Sequence, residues 1–86
     1  MNEKTTGDLA VFLENLEYLR QHYGFSKERM SAICGIDKKT WSKIEALILP
    51  ERLRISVIFH AAWYFRLEPY QLFLPLELEN EKGPLV

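Results

Sequence analysis

The chain has 86 residues and a formal net charge of −1, and its 48% hydrophobic and 13% aromatic content excludes a disordered protein and predicts one compact domain. No apolar run approaches the ~18 residues of a membrane-spanning helix, and the mixed charges at the N-terminus predict no signal peptide, so a cytoplasmic protein is expected. The single cysteine, Cys34, excludes an internal disulfide bond and a zinc site built from several cysteines.

The first predicted element is a helix that ends before Gly24, where a left-handed residue would stop it. Its evidence is a set of apolar residues at three- and four-residue spacing, which is typical of one buried helical face. These residues are Leu9, Phe12, Leu13, Leu16, Leu19 and Tyr23.

A second, shorter helix is predicted between Ser26 and Gly35. Ser26 offers a side-chain oxygen as the N-cap, and Gly35 stops the helix after about two turns. Met30, Ile33 and Cys34 would face the core.

A third helix is predicted from the N-cap Asp37, close enough to the second that the two must cross steeply. If Trp41 and Ile44 are buried, a rotation of about 100° per residue turns several polar residues outward. These are Lys38, Lys39, Ser42 and Lys43, with Thr40 toward the exposed side. Such residues suit a helix that enters a DNA groove, and Lys27 beside the N-terminus of the second helix suits a phosphate.

The C-terminal half is predicted to contain a fourth helix, from about Glu51 to Arg66, and a short final helix, 69–73, that begins at Pro69. The predicted core face of the fourth helix consists of Ile55, Ile58, Phe59, Ala62 and Phe65. Alternating apolar residues then predict an extended segment, 74–79, which Pro75 would confine to an edge.

The positive charge of the chain is concentrated in residues 26–44, which sum to +3, whereas residues 1–25 and 55–86 each sum to −2. A local basic face can bind phosphates even on a slightly acidic protein. The alternative is a solvated charged face with no ligand, and charge by itself does not choose between the two.

The chain resembles the lambda-repressor-like, Cro/C1-type (XRE family) helix-turn-helix DNA-binding domains. The resemblance rests on the segments 24–26, 35–37 and 40–45, and on 62–73 near the C-terminus. It covers roughly residues 9–73 and includes spacing as well as residue type.

This resemblance implies an all-α, five-helix domain over residues 9–73 with a C-terminal tail, 74–86. It implies a small sequence-specific transcriptional regulator, acting as a repressor, that inserts helix 37–46 into the major groove of double-stranded DNA. Lys38, Lys39 and Lys43 would contact base edges or nearby backbone, Lys27 would contact a phosphate, and Glu45 would tether the recognition helix. The chain departs from the family pattern after Glu45, where Ala46 to Pro50 are apolar and the segment is longer.

More apolar residues are present than one small core can cover, which predicts a protein interface. The expected interface residues are Leu47, Ile48, Leu49, Trp63, Leu74 and Leu76. The resemblance implies a homodimer, built here on the fourth helix and the tail. The alternative function is a helix-turn-helix fold used as a protein-interaction module, such as an antitoxin-like or accessory subunit, which the apolar run at 47–49 favours.

No catalytic, metal or cofactor site is predicted. His22 and His60 lie on different helices with no acidic or cysteine partner at ligand spacing, and no nucleophile motif or glycine-rich phosphate loop is present. The sequence therefore predicts a binding protein rather than an enzyme.

Overall fold

Four α-helices and one 3₁₀ helix form the fold of the computed structural model, which describes residues 6–50, 53–76 and 83–84. In chain order they are α1 (Asp8–Tyr23), α2 (Lys27–Cys34), α3 (Lys38–Glu45), α4 (Ile55–Phe65) and a 3₁₀ helix (Pro69–Phe73). The described residues contain no strand, which confirms the all-α prediction. No helix in these ranges combines the length and the apolar character needed to span a membrane.

The C-terminal part departs from the prediction in the type of its last helix. The final predicted helix, 69–73, is 3₁₀ rather than α-helical, so the described chain has four α-helices rather than five. Residues 74–76 are not helical, and Leu74 has an extended backbone, but 77–79 of the predicted extended segment lie outside the described residues.

The predicted helix boundaries around α2 and α3 are confirmed by their caps. The Ser26 hydroxyl accepts a hydrogen bond from the Arg29 backbone N–H at 3.0 Å, and the Asp37 carboxylate accepts one from the Thr40 N–H at 2.7 Å. Each bond satisfies a backbone donor that the first helical turn leaves without a partner. Gly35, with φ +73°, ends α2 in the left-handed conformation and turns the chain into α3.

Alanine at Gly35 is expected to destabilise the protein more than alanine at Gly24. Both glycines are left-handed, so each substitution introduces a strain of about 1 kcal/mol. Only at Gly35 would the new Cβ lie 2.9 Å from a side-chain atom, Nδ1 of His60. We expect the unfolding free energy to fall by about 1 kcal/mol for Gly24→Ala and by about 1 kcal/mol more for Gly35→Ala, measured by urea denaturation.

His60→Ala supplies the control for this comparison, because removing the imidazole opens the space that the Gly35→Ala methyl needs. In that background Gly35→Ala should cost no more than Gly24→Ala. If Gly35→Ala still lowers the unfolding free energy more than Gly24→Ala in the His60→Ala background, contact with His60 is not the cause of the difference.

The hydrophobic core lies between the inner faces of the four α-helices and the 3₁₀ helix. Its fully buried large side chains are Phe12, Leu13, Leu16, Leu19, Met30, Cys34, Trp41, Ile44, Phe65 and Leu72. The predicted inner faces of α1 and α3 are therefore confirmed, except that Leu9 is exposed and Tyr23 is half-buried. Ser31 is also buried, and its hydroxyl has no hydrogen-bond partner among the described residues.

The prediction for α4 was wrong in its start and in part of its buried face. The helix begins at Ile55 rather than Glu51, and Arg54 is its N-cap. Ile55 and Phe59, predicted to be core residues, are exposed. The residues that α4 does bury are Val57, Ala61, Ala62 and Phe65. Because this helix is apolar nearly all round, its sequence has too little contrast between faces to indicate which side is buried.

A polar residue attaches the C-terminal segment to α1. The buried side-chain amide of Asn15 donates hydrogen bonds to the carbonyl oxygens of Leu72, at 2.7 Å, and Leu74, at 2.8 Å. Leu76 then packs against the core. The start of the tail is thereby held on the body of the domain.

The five helices form a closed ring of neighbours. Helix α2 contacts α3 and α4, α3 also packs on α1, α4 also packs on the 3₁₀ helix, and the 3₁₀ helix packs on α1. Helices α3 and α4 are therefore both neighbours of α2 and are not main packing partners of each other.

Candidate nucleic-acid interface

The outward face of α3 carries the predicted DNA-contacting residues. Trp41 and Ile44 are fully buried and fix the rotation of the helix about its axis. Lys38, Lys39, Ser42 and Lys43 are exposed, and Thr40 is half-buried. The Ser42 hydroxyl donates to the Lys38 carbonyl oxygen at 3.1 Å and keeps its oxygen free to accept a further bond.

Two of the predicted lysines are already paired with carboxylates. Lys38 Nζ lies 3.0 Å from Glu28 at the start of α2, and Lys27 Nζ lies 3.3 Å from Glu45 at the end of α3. The hydrogen bond from Lys38 lowers the pKa of the Glu28 carboxyl, so Glu28 stays ionised at neutral pH. Both pairs link α2 to α3, and the Glu28–Lys38 pair is largely exposed to water, where such pairs are weak.

Lys39 and Lys43 have no ion pair within the described parts of the chain. The nearest acid in sequence, Asp37, has its pKa lowered by the hydrogen bond from the Thr40 backbone N–H, so it also remains charged. Asp37 is committed to the helix cap. Lys39 and Lys43 are therefore the lysines of α3 best able to contact an anion directly.

Arg29, which adds to the positive charge of the central segment, lies on a different surface. Its guanidinium stacks over the Phe25 ring at 4.8 Å and donates to the Tyr64 hydroxyl at 2.8 Å, on the side facing α4. The basic surface around α3 is consequently smaller than the number of positively charged residues in 26–44 suggests. It consists of four lysines interleaved with three carboxylates, those of Glu28, Asp37 and Glu45.

The apolar segment after α3 folds back onto the domain. Leu47 adopts a left-handed backbone with φ 59°, and the Ile48 N–H donates to the Lys43 carbonyl at 2.9 Å, which closes the end of α3. Glycine most often takes this conformation, and the leucine side chain compensates by packing on the core. Ile48 is half-buried, Leu49 is exposed and Pro50 is buried.

The predicted interface residues fall into two groups. Leu47 and Leu76 pack against their own core and Ile48 is half-buried, whereas Leu49, Trp63 and Leu74 are exposed. Two exposed apolar residues beside Trp63 were missed, Ile55 and Phe59. Their spacing of four residues, repeated to Trp63, is the signal that could have identified them as one face.

An acidic groove, which shares Glu45 with the basic surface, lies between α1 and the end of α3. It has a volume of about 310 Å³ and is lined by Glu14, Glu17, Tyr18, Gln21, Glu45 and Leu47. Glu17 accepts hydrogen bonds from Arg20, which lower the pKa of its carboxyl.

No metal-binding group was found in the described residues, since no three or more His, Cys, Asp or Glu side chains converge there. Cys34 is buried in the core, which raises the pKa of its thiol to about 12 and makes it unreactive at neutral pH. No protein-family model, no curated protein and no solved structure matches the chain.

Proposed function

We propose that this chain is a small sequence-specific regulator that binds double-stranded DNA through a lambda-repressor-like, Cro/C1-type helix-turn-helix, with α3 in the major groove. The observation that carries the proposal is the division of α3 into two sides. Trp41 and Ile44 are fully buried, while Lys39, Ser42 and Lys43 extend from the opposite side into solvent. A short helix held by its inner face, with lysine and serine outside, suits direct contact with base edges and phosphates.

The start of α2 contributes a second contact point. Lys27 is the first residue of α2, where the unpaired backbone N–H groups and the helix dipole favour a phosphate. Its ion pair with Glu45 holds the lysine beside the end of α3. In the proposed complex Lys27 binds the backbone without reading sequence, and Lys38, Lys39 and Lys43 contact bases or adjacent phosphates.

Glu28 is proposed to weaken binding to DNA of any sequence. Its carboxylate occupies Lys38 in the free protein, and a phosphate must displace it before Lys38 can bind. Because this competition acts at every DNA site, it lowers non-specific affinity. A regulator that acts as a repressor in the cytoplasm needs specific binding to exceed non-specific binding across a genome.

The test begins with selection of bound sequences from a random pool of DNA duplexes, followed by titration of the selected sequence. Lys39→Ala and Lys43→Ala should each weaken binding by about 1–3 kcal/mol if the lost contact is to a base. Substitution at a base contact should also relax the preference at one position. Lys27→Ala should weaken binding to all DNA sequences alike and reduce the dependence of the affinity on salt concentration.

Substitution of Glu28 is expected to strengthen DNA binding, in contrast to the lysine substitutions. Glu28→Gln should strengthen binding to random duplex at low salt, because Lys38 is then free to bind phosphate. Glu14→Gln changes the net charge by the same amount on the acidic groove and should leave binding nearly unchanged. Equal effects of the two glutamine substitutions, or no loss with the lysine variants, would contradict the proposed DNA-binding surface.

The second candidate is a helix-turn-helix fold that binds another protein and little or no DNA. It is favoured by the pairing of Lys27 and Lys38 with carboxylates, which leaves a modest basic surface. Absence of binding to random duplex at low salt, together with recovery of one tight protein partner, would favour this function. Binding to duplex that weakens steeply with added salt would favour DNA.

A further inference from the structure

The outer face of α4 is an apolar stripe on the surface of the domain. Ile55, Phe59 and Trp63 lie four residues apart and are 69%, 52% and 72% exposed. Exposed apolar side chains are common singly, but a contiguous row of three large ones indicates an interaction surface. The charges at the ends of the stripe and its size indicate what can cover it.

Both ends of the stripe are cationic. Arg66, which ends α4, follows Phe59 by seven residues and therefore falls on the same side of the helix as the stripe, while Arg54 caps the other end. Both arginines are exposed, and neither has an ion pair within the parts of the chain that the structure describes. Residues 53–67 contain no aspartate or glutamate, so every formal charge in this stretch is positive although the whole chain carries −1.

A groove lies beside the stripe, between α2 and α4. It has a volume of about 240 Å³ and is lined by Ala32, Ile33, Gly35, His60, Trp63 and Tyr64. Small-molecule sites usually occupy roughly 300–1,000 Å³, so this groove is better suited to one large side chain than to a ligand of that kind. A protein partner supplies such a side chain, whereas the surface of a membrane or of a DNA duplex does not.

The charges disfavour a second copy of the chain along the stripe. If two α4 helices packed antiparallel, Arg66 of one copy would approach Arg54 of the other and the N-terminal end of its helix, which is the positive end of the helix dipole. If they packed parallel, the two Arg66 side chains would meet. Like charges face each other in both arrangements, whereas a partner with carboxylates at these positions is attracted.

We propose that the Ile55–Phe59–Trp63 stripe binds an acidic amphipathic helix of a partner protein. The apolar face of that helix covers the stripe, one of its large side chains enters the α2–α4 groove, and its carboxylates pair with Arg66 and Arg54. Aromatic residues and arginine are enriched at protein interfaces where lysine is depleted, and arginine binds carboxylates in bidentate pairs. The outward face of α3, in contrast, carries lysines and no exposed aromatic side chain.

The size of the stripe is that of a weak and reversible complex. A large side chain presents on the order of 200 Å², so the exposed fractions correspond to roughly 400 Å² on this side and about 800 Å² for both partners. Interfaces below about 1,200 Å² are typical of transient encounters, whereas permanent dimers bury more. Helix α4 has 11 residues and a length of roughly 16 Å, so a partner helix of three to four turns covers it.

Selection from a displayed library of random peptides, each about 16 residues or roughly four helical turns long, tests the proposal with the full chain as the target. The enriched peptides should be net negative and carry large apolar residues at helical spacing. A synthetic copy of the most enriched peptide should bind the unmodified chain, and Trp63→Ala or Phe59→Ala should weaken that binding at least about 10-fold.

Tyr70→Ala is the matched control for these substitutions, because Tyr70 is a similarly exposed aromatic residue on the 3₁₀ helix rather than on α4. It should leave the affinity for the peptide unchanged. No enrichment, enriched peptides that are neutral or basic, or binding that survives both stripe substitutions would overturn the proposal.

A charge reversal separates charge complementarity from purely apolar binding. Arg66→Glu should weaken binding of the acidic peptide several-fold and strengthen binding of a version in which lysine replaces each acidic residue. Trp41 is fully buried, so acrylamide quenching reports chiefly on the exposed Trp63 and should fall as either peptide binds. If both chains bound both peptides equally well, the stripe would not select an acidic partner, contrary to the inference.

Other occupants of the stripe give different results. Sedimentation of the chain alone at high micromolar concentration detects a second copy, vesicles containing phosphatidylserine detect a membrane surface, and oligothymidylate detects single-stranded nucleic acid. We expect none of these interactions to depend on Trp63. Association in any of the three assays that is lost in Trp63→Ala would assign the stripe to that occupant and overturn the proposal.

The inference rests on α4 and not on the proposed DNA binding, and the two tests can fail separately. Trp63→Ala should bind random duplex at low salt as the unmodified chain does. Loss of peptide binding with duplex binding retained supports the inference. Peptide binding by a chain that binds no duplex also supports it, while removing the proposed DNA-binding function in favour of the second candidate.

Discussion

Replacing Trp41 with alanine is expected to lower the free energy of unfolding by about 3–5 kcal/mol, the usual cost of removing a large aromatic side chain from a core. Trp41 is fully buried, and with Ile44 it is one of two residues that α3 buries. A helix of eight residues has little stability without such packing, so DNA binding through α3 should be lost as well. Urea denaturation at low micromolar concentration measures the first effect, and fluorescence anisotropy with labelled duplex measures the second.

Trp63→Ala is a closely matched control, because the same substitution is made at the other tryptophan of the chain, on the surface of α4. It should change stability by no more than about 0.5 kcal/mol. Trp41→Phe should be milder than Trp41→Ala, since it retains most of the ring contacts and removes an indole N–H that has no partner among the described residues. Similar losses for Trp41→Ala and Trp63→Ala would contradict the assignment of Trp41 as the anchor of α3.

Asn15→Ala is expected to lower the free energy of unfolding by about 2–4 kcal/mol and to loosen the C-terminal segment. The substitution removes two short hydrogen bonds and leaves the carbonyl groups of Leu72 and Leu74 without their amide donor. Because Leu72 is fully buried, its carbonyl cannot readily exchange this donor for bulk water. Hydrogen exchange of residues 69–76 should therefore increase, together with a fall in the urea midpoint.

The control for this substitution is Glu14→Ala, at the neighbouring and exposed position of the same helix. Alanine favours helix there, and no buried hydrogen bond is lost, so stability should change little. If Asn15→Ala were equally neutral, the C-terminal segment would have to be held by the packing of Leu72, Phe73 and Leu76 alone. That result would rule out the assigned role of the asparagine.

Local signals predicted the helix boundaries near α2 and α3 well. Ser26 and Asp37 cap their helices through backbone donors three residues ahead, and Gly24 and Gly35 take the left-handed conformation that ends a helix. These features depend on residues adjacent in the chain. The inner and outer sides of α3 were likewise predictable, because its polar and apolar residues alternate at helical spacing.

Features that depend on distant residues were not predictable. Asn15 carries no local signal of its role, because its partners lie 57 and 59 residues further along the chain. In the same way, no local pattern indicates that Arg29 turns away from the lysines of α3 toward Phe25 and Tyr64. Contacts of this kind depend on how the helices pack, and residues so far apart in the chain produce no periodic pattern in the sequence.

The all-α class, the turn between α2 and α3, and the lysine-bearing face of α3 could be predicted from local sequence, because capping residues and helical periodicity act within a few residues. The buried side of α4 and the pairing of lysines with carboxylates depend instead on how the helices pack together. A helix that is apolar all round can be buried on any side, and its packing against the neighbouring helices determines which side is buried. The packing of Val57, Ala61, Ala62 and Phe65 inward leaves Ile55, Phe59 and Trp63 exposed on the outer face of α4.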